Sequence, residues 1–151
     1  MIITFDMNFL TPSQQVSLQL SACGIKSVHP EAFRGQESHL RHLSLAQNQL
    51  TEVPTASLER LAQLVLLDLS YNKITKIPPN AFEALNKLST LKLNDNNLDL
   101  DTQAFKGLEN SLRNLNLKGS CTLLSFLNLH TSPLICSSFS LCGHFNELVT
   151  N

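Results

Sequence analysis

The chain has 151 residues, of which 42% are apolar, and its 11 Lys and Arg against 12 Asp and Glu leave a formal net charge of −1. That length has room for one domain, and the balanced charge offers no basic field for a phosphate backbone, so nucleic-acid binding is not expected. Only 15% of residues are charged, below the usual quarter or so, which suits a surface covered by neighbouring units or partners.

Residues 1–14 read as an irregular lead-in. Residues 1–10 are apolar, but they have no basic start, carry Asp6 and lack a small-residue cleavage site, so they are not a good signal peptide. A first unit follows with Leu18, Leu20, Cys23, Ile25, Val28 and Phe33, and it is 25 residues long. Then come Leu40, Leu43, Leu45 and Asn48; Leu64, Leu67, Leu69 and Asn72; and Leu88, Leu91, Leu93 and Asn96, in the form L-x-x-L-x-L-x-x-N-x-L at a spacing of 24 residues. A fifth unit opens at Leu112, Leu115 and Leu117 and loses phase after Ser120, because Thr122 stands where an apolar residue is expected. The array therefore spans 15–120 in about five units, and 121–151 is a non-repeat apolar tail.

A fixed period of this length is the signature of a solenoid. The alternation Leu67, Asp68, Leu69 is that of a short strand with one buried face, and successive strands running the same way should form a parallel ladder about 4.8 Å apart. Leu50, Ile74 and Leu98 supply a second inward column, Val53-Pro54 and Ile77-Pro78 mark the convex side, where no ladder donor is needed, and Phe33, Leu58, Phe82 and Phe105 suggest a largely aromatic spine. The expected class is an α/β repeat solenoid with strands on the concave face and an irregular or short helical convex side. Cys23, Asn48, Asn72, Asn96 and Ser120 form a structural ladder, since a side-chain amide can satisfy donors and acceptors of adjacent tight turns. Cysteine fits at one end because it is small and tolerates burial.

Positions 33–43 and 105–115 also share the form F-[RK]-G-x-E-x-x-L-R-x-L. With the 24-residue units, this resembles the leucine-rich repeat family in its typical class, and within it animal extracellular arrays of the chaoptin-like or Toll-like kind. The resemblance covers roughly 15–120. It implies a curved horseshoe that binds a ligand on its concave face between cysteine-rich caps. No C-x-x-x-C-x-C pattern precedes Gln15, and Cys121, Cys136 and Cys142 lack the spacing of a usual C-terminal cap, so a fragment of a longer protein is expected.

The tail differs in kind. Residues 119–146 contain no Asp, Glu, Lys or Arg, and 123–142 are apolar enough to raise a membrane span, but Asn128, His130, Pro133 and five serines dilute it. Membrane association is expected through segments missing from this chain rather than through the tail. No N-x-[ST] sequon occurs.

Sites for chemistry are poorly supported. Asp95, Asn97 and Asp99 alternate as in a calcium loop, yet Leu100 stands where the turn glycine belongs and Lys106 where the bidentate glutamate belongs. His39 and His42 do not converge with Cys23 as zinc ligands would. No nucleophile motif or glycine-rich phosphate loop is present, so neither catalysis, nor a cofactor, nor a small-molecule substrate is expected. The concave positions remain: His42, Ser44, Leu66, Asp68, Tyr71, Thr90, Lys92, Asp95 and Asn114, with apolar bulk concentrated at Leu66 and Tyr71. Apolar residues rimmed by polar ones suit a protein ligand. The expected function is a non-enzymatic protein-recognition module of a receptor or adhesion protein, extracellular or at the cell surface. The alternative is an intracellular scaffolding or structural array in the cytoplasm.

Overall fold

The computed structural model describes residues 16–101 and 103–120. The expected lead-in 1–14 and tail 121–151 lie outside the described residues. Strands β1 (Val16–Gln19), β2 (Leu40–Ser44), β3 (Leu66–Asp68), β4 (Thr90–Lys92) and β5 (Asn114–Asn116) stand in chain order in one parallel sheet. Pairing follows the sequence period: His42, Leu66, Thr90 and Asn114 are successive partners, as are Ser44, Asp68, Lys92 and Asn116. The register shifts once, between Val16 and Ser17, after which Leu18 pairs with Leu43 at the 25-residue spacing of the first unit.

The pairing outlasts the strands. Leu45, Leu69 and Leu93 donate their N–H groups to Asp68, Lys92 and Asn116, and Gln47, Tyr71 and Asp95 donate to Ser70, Asn94 and Lys118. At this second rank the chain turns through the left-handed region: Ala22, Gln47, Tyr71, Asp95 and Gly119 all have φ between 54° and 69°. On the convex side, the one-turn helix α1 (Thr55–Leu58) follows Pro54, whose missing N–H costs nothing where no ladder donor is needed.

The leucine columns at 40, 43 and 45, 64, 67 and 69, and 88, 91 and 93 are wholly buried, as is Ile74, and Leu50 and Leu98 are nearly so. Each such side chain contributes about 1.5–3 kcal/mol by leaving water. Phe33, Leu58, Phe82 and Phe105 are buried in the expected spine. Gln36 brings an unpaired polar atom into this core: it occupies the place taken by Leu61, Leu85 and Leu108 in later units, is 3% exposed, and its Oε1 accepts no hydrogen bond.

The ladder joins each turn to the one before it. Asn72 Oδ1 accepts the Leu50 N–H at 3.0 Å, while its Nδ2 donates to the Leu45 carbonyl of the preceding turn and to Leu69 and Ser70 of its own. Asn48 accepts from both Cys23 and Ile25 and donates to Leu20, and Asn96 accepts from Ile74 and donates to Leu69. Ser120 is buried and does the same with one oxygen, accepting from the Asn96 N–H and donating to the Leu93 carbonyl. Cys23 departs from expectation. It is exposed, and its thiol donates only to Ser21 of its own turn at 3.4 Å, because among the described residues no earlier turn lies beside it to be bridged.

Candidate functional site

The concave face is built by the side chains that point away from the leucine columns. Its first row is His42, Leu66, Thr90 and Asn114, held side by side by the strand register. His42 and Asn114 are exposed, and Leu66 and Thr90 are half-buried. Asn114 donates weakly to Thr90 Oγ1 at 3.5 Å.

The second row is more internally bonded than the sequence suggests. Asp68 Oδ2 lies 3.2 Å from Lys92 Nζ, directly across the β3–β4 pair, and Asp68 Oδ1 accepts from the Ser70 N–H at 3.1 Å and from the Ser70 hydroxyl at 2.6 Å. The two charges thus neutralise each other in place. Ser44, expected to be available to a partner, is 5% exposed and shares a hydrogen bond with the Ser21 hydroxyl at 2.8 Å, so it forms the floor of the face. Ala46, Ser70 and Asn94 continue this floor as small or tied-down groups, with Asn116 donating to Asn94 Oδ1 and Asn94 to Asp95 Oδ2. Ser70 and Asn94 escape sequence reasoning because their roles depend on side-chain bonds, Ser70 to Asp68 of its own turn and Asn94 to Asp95 and the cross-strand Asn116. The alternation of polar residues was their only signal.

Along the far margin stand Gln47, Tyr71 and Asp95, all exposed. Tyr71 is 53% exposed, the one large hydrophobic residue that is exposed among the described residues. The Asp95 carboxylate beside it raises the phenol pKa above its ordinary 10.0, by favouring the protonated hydroxyl as a hydrogen-bonding neighbour and then by its negative charge. Leu66 opens β3 and Tyr71 stands at the left-handed turn that follows it, five residues on, so the face has two apolar points with Asp68 between them in the chain.

Among the described residues no group of three or more His, Cys, Asp or Glu could hold a metal ion, and no helix is long and apolar enough to cross a membrane.

The family model described as "Leucine rich repeat" matches this chain over residues 16–74, 38–98 and 66–123. No curated protein matches the chain. Among solved structures, the chain is similar to the LRR ectodomain of the receptor kinase SOBIR1 from Arabidopsis thaliana, with a TM-score of 0.54 and 24% identity over 77% of this chain and 67% of that one. It is similar also to a chain of the LRIM1/APL1C complex, with a TM-score of 0.54 and 21% identity over 72% of this chain but 24% of that one. At these identities the likeness is one of fold.

Proposed function

The chain belongs to the leucine-rich repeat family, and we propose that it is a non-enzymatic protein-recognition module that binds a protein ligand on its concave face, as part of a longer receptor- or adhesion-type protein at the cell surface or outside the cell. The observation that carries the reading is the form of that face. A preformed, internally bonded polar floor is bordered by the half-buried Leu66 on one margin and the exposed Tyr71 on the other. A surface whose polar groups already satisfy one another needs little ordering on binding, and its apolar points can supply area at about 25 cal/mol per Å² buried. His42 and Thr90 flank Leu66, and Asn114 follows Thr90 in the same row, as adaptable polar contacts. Asp68 and Lys92, being paired, set orientation more than affinity. The receptor ectodomain among the structural neighbours supports the surface-receptor setting, and the LRIM1/APL1C complex is a neighbour found in partnership with another protein.

The test is a Leu66→Ser/Tyr71→Ser double variant. It should fold as the parent does and lose capture of a partner from a displayed surface-protein library. Charge changes at the exposed Glu83 and Lys87 should leave capture intact. Capture retained by the concave variant, or lost with the Glu83 and Lys87 changes, would overturn the reading.

A further inference from the structure

The carboxylates of the concave face are not equivalent. Asp68 is balanced by Lys92 at 3.2 Å. Asp95 is exposed, and the ion pairs among the described residues, Glu31 with Arg34 and Arg60 and Asp68 with Lys92, leave it without a cation. Its orientation is nevertheless fixed from two sides: Asn94 Nδ2 donates to Oδ2 at 2.8 Å, and Oδ1 rests over the bare Cα of Gly119, where a Cβ would come within 2.8 Å. Tyr71 and Asp95 occupy the same left-handed position in successive turns, so the aromatic side chain and the open charge stand side by side by construction.

We propose that Tyr71 and Asp95 form a receptor site for a basic side chain of the partner, an arginine or lysine, whose charge meets the Asp95 carboxylate while its stem and head lie against the Tyr71 ring. A cation over a tyrosine face and a carboxylate at its edge act in the same direction. Arginine suits the site better than lysine, because its planar head can stack and hydrogen-bond at once. The site rests on the concave-face reading and adds to it the chemistry of one partner group.

The chain contains one tyrosine and no tryptophan, so the Tyr71 ring protons report on the site alone. Titration of the full chain with N-acetyl-arginine amide, followed by proton NMR, should shift the Tyr71 ring resonances saturably, and N-acetyl-norleucine amide should not. Asp95→Asn, which keeps a residue tolerant of left-handed backbone, should weaken the response about fivefold, whereas Glu52→Gln should leave it unchanged. An equal response in Asp95→Asn, an equal response to the norleucine compound, or no saturable shift would overturn the site. The broader reading falls separately. If the arginine response is absent while Leu66→Ser alone still abolishes partner capture, the concave face stands and only this site is lost.

Discussion

The Cα of Glu83 lies where a side chain on Gly107 would have to go, since a Cβ built on Gly107 would stand 2.8 Å from it. Gly107 also has φ of +92° and donates its N–H to the Glu109 carboxylate at 2.9 Å. Gly35 holds the same place in the parallel motif with φ of +83°, yet nothing lies within 4 Å of its missing Cβ. Gly35→Ala should therefore cost only the left-handed strain, about 1–2 kcal/mol. Gly107→Ala should cost about 1–3 kcal/mol more from overpacking against backbone. Urea melts of the two variants check the difference, and equal losses would remove the Glu83 contact from the account.

Asn72→Ala should destabilise the chain by about 1–3 kcal/mol, because it strips a partner from the Leu50 N–H and from the carbonyls of Leu45, Leu69 and Ser70. Asn97→Ala should be close to neutral, since Asn97 is exposed and only its backbone N–H, kept by alanine, is bonded. Equal midpoints and slopes in urea would place the register at least one residue away.

Gln36→Leu should stabilise the fold by about 1–2 kcal/mol. The change removes a buried acceptor that has no partner and restores the leucine column of Leu61, Leu85 and Leu108. Thermal unfolding reads it directly, and a fall in the midpoint would mean that the Gln36 amide is engaged in a contact worth more than its burial costs.

Tyr71 should titrate above its ordinary value of 10.0 in the native chain and return toward it in Asp95→Asn. The sign for stability follows from linkage: the folded phenol holds its proton more tightly than the unfolded one, so this contribution is complete below pH 10 or so and is lost as pH rises through the folded value. Tyrosinate absorbance measures the first, and the dependence of unfolding on alkaline pH the second. A native value at or below that of the variant would contradict the Asp95 contact.

The leucine columns, strand positions and asparagine ladder are legible in the sequence because each is fixed by the 24-residue period, and a one-residue error would turn every side chain to the wrong face. The candidate face is only half legible. Ser44 and His42 look alike as residues between buried leucines, but Ser44 is closed off by Ser21, a neighbour reached across the sheet. The left-handed turn shared by Ala22, Gln47, Tyr71, Asp95 and Gly119 was hidden because glycine, the residue that advertises it, stands there once. Cys23 misled for a related reason: its place in the ladder is real, while its burial needed an earlier turn beside it.

The ladder also has a direction in time. Asn48, Asn72, Asn96 and Ser120 each supply acceptors to backbone N–H groups of the turn before them, with none reaching forward in the same way. A chain synthesised from its N-terminus therefore emerges with its newest turn always unfinished, its inward N–H groups open until the following unit, 24 residues later, arrives to close them. Each turn of the coil is thus completed by the unit that follows it in the chain.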